Sequence, residues 1–235
     1  MTLVSVVKDV AATVGVLVPQ SIFTNITANR TMQEMVSLAN EMAQRIAYDN
    51  RDWTRLRKTA TFTGDGTTAA FDLPNDYKRM LLTANVWRST SALCPMQFIP
   101  DTDQWLNRRH LNWNDYPYGE WTMLGGQMLI FPTLAAGQTA YFPYLHKNCV
   151  ALASGGFGDS FVADGDIFAL DERVLKLGMT WQWKAQKGSP YQEDMGTYED
   201  ALASVAGRDS PAPIITGRMP ISNSVRIAYP WQVPT

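Results

Sequence analysis

Apolar residues recur every third or fourth position in three stretches of the chain, and between them the spacing shortens to alternation. Met32, Met35, Val36, Ala39, Met42, Ala43 and Ile46 fall on one face of a 3.6-residue period, which predicts a helix over 31–49. Thr31 with Glu34 three residues on forms a capping box for its start. A second helix is predicted from Asp166 to Gln186, with Ile167, Leu170, Val174, Leu177, Trp181 and Ala185 on one stripe. Asp171 and Glu172 lie in its first turns, where the helix dipole favours anions, and Gly188 stops it. Ser189 as N-cap, Pro190 at the first helical position and Gln192 open a third helix, whose stripe is Tyr191, Met195, Tyr198, Leu202 and Val205. Residues 3–15 form a fourth, against the low helix propensity of their valines.

From 59 to 150 the punctuation is Gly, Pro, Thr and aromatics at short intervals, which reads as β-structure. Thr59–Thr63 and Ala69–Leu73 flank Gly64-Asp65-Gly66, turn chemistry for a hairpin. Glu120–Leu124 and Gln127–Phe131 are separated by Gly125-Gly126, a pair that permits the positive φ angles of a two-residue hairpin turn. Ala140–Leu145 is a further strand, and Asp101–Arg109 a short helix between strands. The order is therefore helix, β-rich segment, helices. This is an α+β chain: a bundle of three to four helices from 1–58 and 165–206, a β-rich insertion over 59–164, and an extended arm over 207–235.

The arm differs from the rest in kind. Five of the 13 prolines (211, 213, 220, 230, 234) fall in it, so no regular helix fits. It carries Arg208, Arg218 and Arg226 against Asp209, a charge of +2 that leaves −4 on the remainder. Ile214, Ile215, Ile221, Val225, Ile227, Tyr229 and Trp231 make it too apolar for an inert linker. It reads as a docking segment, in the manner of strand addition to a partner or a neighbouring copy.

The 235 residues, 46% of them hydrophobic, supply enough apolar material for a core. A net charge of −2 lacks the basic footprint of a dedicated nucleic-acid binder. Two cysteines, Cys94 and Cys149, are too few for a disulfide framework. Val10–Asn29 carries no charge, but Pro19, Gln20, Asn25 and Asn29 interrupt it and its apolar part is too short for a span, so a soluble protein is expected. The sequons at Asn25 and Asn29 matter only in a eukaryotic secretory route.

Catalytic and metal signatures are sparse. His110 and His146 lie in no zinc pattern, and Cys149 with His146 at i, i+3 in a strand points to opposite faces. Gly155-Gly156-Phe157-Gly158 and Gly64-Asp65-Gly66 lack the lysine and helix of a phosphate loop. Asp101-x-Asp103 and Asp164-x-Asp166 lack the rest of a calcium loop, and Asp164 or Asp166 reads as a helix N-cap. No cofactor, metal or catalytic residue is expected. Eight tryptophans are the outlier, and Trp105, Trp113, Tyr116, Tyr118 and Trp121 cluster closely enough to line a core, a protein interface or a sugar-binding face.

Asp52-Trp53-x-x-Leu56, the Gly-rich turn and Phe71-Asp72-Leu73-Pro74-x-Asp76-Tyr77 resemble the head-to-tail adaptor proteins of tailed bacteriophages. The likeness continues through Met128–Pro132 with Ala140–Tyr144, then Lys176-Leu177-Gly178, Trp181 and Tyr198-Glu199-x-Ala201-Leu202, and covers about residues 30–206. It implies a structural virion protein and not an enzyme, assembled in the bacterial host cytoplasm. The expected product is a homo-oligomeric ring, usually of twelve copies, at the neck between portal protein and tail or nozzle protein. Genomic DNA would pass through the lumen without sequence-specific binding, and no membrane is involved. A carbohydrate- or receptor-binding tail module is the alternative. Within the ring reading, Trp53 and Leu56 plug the base of the bundle, while Leu73, Pro74 and Tyr77 brace the start of the β-rich part; Pro74 biases Leu73 to an extended conformation. Ile221, Val225, Arg226, Ile227, Tyr229 and Trp231 are the docking residues of the arm.

Overall fold

The computed structural model describes residues 1–24, 26, 29–49, 51–81, 84–91, 93–111 and 116–209. In chain order these hold α1 (Leu3–Val14), α2 (Arg30–Tyr48), β1 (Arg57–Thr63), β2 (Ala70–Asp72), β3 (Tyr77–Met80), β4 (Trp87–Arg88) and β5 (Gln97–Phe98). Then come α3 (Thr102–His110), β6 (Glu120–Leu124), β7 (Gln127–Phe131), β8 (Thr139–His146), β9 (Val150–Ala151), β10 (Phe157–Gly158), β11 (Ile167–Phe168), α4 (Glu172–Gln186) and α5 (Gln192–Asp209). The protein is α+β, and its described residues divide into two units, 1–57 with 145–209 and 58–144.

In the first unit, α1 forms despite its valines because Leu3, Val6, Val7, Val10 and Ala11 all bury on one side. Gly15 closes it with a φ of +74°, the left-handed conformation that returns its N–H to Ala11. Every residue of the predicted α2 stripe is buried. Its cap differs from the capping box: the helix begins at Arg30, so Asn29 accepts the Met32 N–H at 3.4 Å. Glu34 turns sideways to Arg30 at 2.9 Å and Lys187 at 2.7 Å.

The predicted helix from Asp166 starts six residues late. Ile167 and Phe168 form β11, which with β10 flanks β9 in a small antiparallel sheet, and Asp171 caps α4 by accepting the Val174 N–H at 3.1 Å. Its buried face is also rotated from the predicted stripe, to Val174, Leu175, Gly178, Met179, Thr180 and Trp183. The reason is that α4 packs against α1, α2 and α5 together, so a single-stripe reading cannot assign its inside. Gly178 marks the tightest approach: a Cβ there would stand 2.4 Å from Met42 Cε and 3.2 Å from the Tyr198 ring.

Ser189 is not the cap of α5. Its N–H returns to Lys184 O at 2.9 Å and finishes α4, and the first α5 bond runs from Met195 N–H to Tyr191 O. At its other end α5 continues to Asp209, three residues into the segment expected to be arm.

The second unit holds two four-stranded sheets, β1-β8-β3 with β4 also on β8, and β2-β7-β6-β5. The β6–β7 hairpin forms in the expected register, Glu120 opposite Phe131, and Gly125 and Gly126 take φ of +61° and +81°. The hairpin expected around Gly64 does not form, since β1 pairs β8 and β2 pairs β7. Asp65 accepts the N–H groups of Thr67 and Thr68 at 2.8 and 2.7 Å, and Gly64 donates to Gln138 O. These bonds turn the chain from one sheet to the other. A side chain at Gly64 has no room, its Cβ lying 2.4 Å from that of Leu134. α3 is the crossover between the parallel strands β5 and β6. Phe62, Met128, Ile130, Phe142 and Tyr144 form the core of the unit, with Phe62 stacked on Phe71 at 5.0 Å.

Candidate functional site

A set of polar and aromatic side chains gathers at the end of α5. Trp53 is buried and its indole N–H donates to Ile46 O at 2.8 Å, so the last turn of α2 and the loop after it are joined. Leu56 is fully buried beside it in sequence, in a single 3-10 turn. Arg51 lies over the Trp53 ring at 5.5 Å and donates to Ala206 O, a cation against the negative end of α5. Asp209 accepts the Thr54 N–H at 3.0 Å and the Thr54 hydroxyl, with Arg51 3.8 Å away. The result is a latch on the final turn. A cleft of about 220 Å³ opens there, floored by Trp53, Leu170 and Val205 and rimmed by Arg55, Asp171, Arg208 and Asp209.

Leu73, Pro74 and Tyr77 belong to the second unit. Pro74 O accepts the Tyr77 N–H at 2.8 Å in a turn, and Leu73 and Tyr77 are partly buried against that unit's core. The Tyr77 ring stands 6.5 Å from Phe142 and 5.8 Å from Tyr144, and its hydroxyl accepts the Met80 N–H at 3.0 Å. Burial pushes its hydroxyl pKa up. Asp76 accepts from Tyr144 at 2.7 Å and pairs with Lys58 at 2.6 Å; burial, then the Asp76 carboxylate, raises the Tyr144 pKa.

Two buried carboxylates, Glu120 and Asp166, and the half-buried Asp164 carry structure that the sequence patterns did not reveal. Glu120 is fully buried and binds Arg108 and Arg109, the latter at 2.6 Å, while the Arg109 guanidinium lies 4.4 Å from the Trp105 ring centre and 3.4 Å from that of Phe131. Burial lowers the Arg109 pKa and Glu120 opposes it. Asp164 accepts from Ser21 Oγ at 2.5 Å and from the N–H groups of Ile22 and Phe23 at 2.9 and 3.1 Å. Asp166 accepts from Ala153, Val162 and Ala163. Neither is a helix cap. The one sequence signal for them was the Asp-Gly-Asp spacing itself.

The aromatic cluster does not form one exposed face: Trp105 and Trp121 are buried, and Tyr116 packs on Tyr118 at 5.3 Å. Trp113 lies outside the described residues. His146 and Cys149 are both buried; the cysteine sits 3.8 Å from Asp159 O, and the Asn148 N–H donates to His146 Nδ1. Among the described residues no group of three metal-ligating side chains is assembled, and no helix is long and apolar enough to cross a membrane. The predicted arm residues Ile221, Val225, Arg226, Ile227, Tyr229 and Trp231 lie outside the described residues.

The geometry is thus that of a scaffold whose polar groups are used in latches and buried braces. Comparison with curated proteins gives no match. A family model described as SU10 adaptor protein matches residues 1–216, from the first helix to just past the latch on α5. Over that span the chain belongs to the SU10 adaptor protein family, a family of phage head-to-tail adaptors.

Proposed function

We propose that this protein is the adaptor ring of a virion neck, built of twelve copies that join the portal protein above to the tail or nozzle protein below. The family match over residues 1–216 carries this reading. A closed ring of that order needs heterologous contacts, in which one patch of a copy meets a different patch of the next. The charge distribution supports a channel role: a body with a net charge of −4 has no excess of cations to hold DNA phosphates, so the genome slides without sticking. In this reading the helical and β-rich parts act as bundle and insertion. Trp53 and Leu56 plug the bundle, Leu73, Pro74 and Tyr77 brace the insertion, and the arm docks through Ile221, Val225, Ile227, Tyr229 and Trp231, leaving Arg226 outward.

The test is the mass and reconstruction of necks purified from assembled particles. The expected result is a ring of this chain in contact with both portal and tail. A monomer, or a location at an exterior fibre tip, overturns the proposal.

A further inference from the structure

β1 is the one long sheet edge among the described residues that lacks a partner on one side. It runs seven residues, Arg57–Thr63, and pairs only with β8, whereas the edge strands β2, β3, β4, β5, β10 and β11 are two to four residues long. Natural sheets keep free edges short or covered, because a row of unpaired N–H and C=O groups is a template for another strand. The pattern of β1 also defines what would fit. Ala60 and Phe62 point into the core, while Thr59, Thr61 and Thr63 are exposed. A matching strand needs apolar residues on one face and small or polar ones on the other.

We propose that this edge receives Ser222–Tyr229 of an adjacent copy of the same chain. The inference rests on the ring reading and names the partner of the arm. In that segment Val225, Ile227 and Tyr229 alternate with Ser224, Arg226 and Ala228, so the first set continues the layer of Ala60 and Phe62 and the second that of the threonines. The place where the described chain ends supports it. Asp209 is bonded to Thr54, three residues before β1 begins, so the arm starts near the first residue of that strand. Residues 210–221 then form a twelve-residue link with prolines at 211, 213 and 220, which favour an extended course over doubling back. At about 3.1 Å per residue such a link reaches about 37 Å. A unit of the size of 58–144 is about 30 Å across. The link is therefore long enough to cross a unit of that size.

Cysteine pairing in assembled rings tests this. In a Cys94→Ser, Cys149→Ala background, one tagged version carries Thr61→Cys and a second, differently tagged, carries Arg226→Cys; Thr59→Cys and Thr63→Cys cover the other registers. The two are produced together with the portal and oxidised. The expected result is a disulfide joining the two tags in one register, at least about fivefold above a control pair that places the second cysteine at Ser204, exposed on α5. Rings that assemble without that bond in any register overturn the inference. So does a bond that forms only when both cysteines lie on one chain, which would place the arm on its own edge. Ile227→Pro provides a second readout outside the described fold: ring yield should fall about tenfold because proline cannot donate to the ladder. Normal ring yield from that variant also overturns the inference. Failure of the unsubstituted chain to form any ring with the portal overturns the ring reading itself, and this inference with it.

Discussion

The Trp53 indole N–H reaches Ile46 O at 2.8 Å, so one side chain closes the last turn of α2 and fills the space beneath it. Trp53→Ala removes that bond and leaves a cavity, and should cost ~3–5 kcal/mol, the range for a buried large-to-small change. This is a large share of the ~5–15 kcal/mol that holds a typical protein folded. Trp53→Phe keeps most of the apolar volume and should lose less than half as much. Urea midpoints of the two variants give the comparison. An alanine variant within about half a kcal/mol of the parent would show that Ile46 and Trp53 do not meet.

Glu120 is predicted to matter as much, for a different reason. It is fully buried between two arginines, and Arg109 is itself sandwiched by Trp105 and Phe131. Glu120→Ala strands the Arg109 charge in that sandwich and should destabilise the protein by ~3–5 kcal/mol, the cost of breaking one side of a buried pair. Adding Arg109→Met to Glu120→Ala should recover part of the loss. A double variant no more stable than the single one would count against an uncompensated charge as the cause.

Acid should weaken the first unit through Asp164. Burial raises its pKa, but the bonds from Ser21, the Ile22 N–H and the Phe23 N–H, together with the Lys8 charge, outweigh burial and hold the carboxyl below the usual range. A depressed folded-state pKa means that the unfolded chain takes up protons first as pH falls. The stabilisation is therefore whole above the ordinary aspartate value of ~3.9 and is lost as pH drops through the lower folded value. Asp164→Asn should be less stable than the parent at pH 7, and the gap should close below about pH 4. Melting temperatures of both proteins across pH 2.5–7 measure this. A gap independent of pH would assign the loss to shape and not to charge.

What the sequence made legible was the set of elements whose periodicity had one reading. The α2 stripe, the Gly125-Gly126 hairpin and the helix over Asp101–Arg109 each meet one packing surface or one turn geometry, so local pattern decides them. The start of α4 was hidden because Ile167 and Leu170 continue a helical spacing while the Asp166 carboxylate is already committed to three backbone N–H groups. The β1–β8 pairing was hidden because its two halves lie about eighty residues apart and the glycines between β1 and β2 are equally good at turning a chain into another sheet. Trp53 and Leu56 could be named from a motif. Arg51, Thr54 and Asp209 could not, since a bond 155 residues apart leaves no spacing to read.

That bond fixes where the arm can be cut. Removing 210–235 leaves every described contact of α5 in place, including the Thr54–Asp209 bonds and the Arg51 contact with Ala206. The melting temperature of the free chain should then stay within about 2 °C of the parent, because surface changes away from such contacts are worth no more than ~0.5 kcal/mol. Removing 207–235 instead deletes Asp209, and with it the bonds to Thr54 and the ion pair to Arg51. Losing a charged bond pair of this kind is worth about 2 kcal/mol, which for a chain of this size lowers the melting temperature by about 4–8 °C. Both truncations should abolish attachment to the head, since each removes Ile221, Val225, Ile227 and Trp231. Thermal melts with a head-attachment assay thus separate two roles in one region, folding for 207–209 and docking beyond them. Equal melting losses in both truncations would mean that the arm packs on its own subunit, and attachment surviving both would move the docking role to the N-terminal segment.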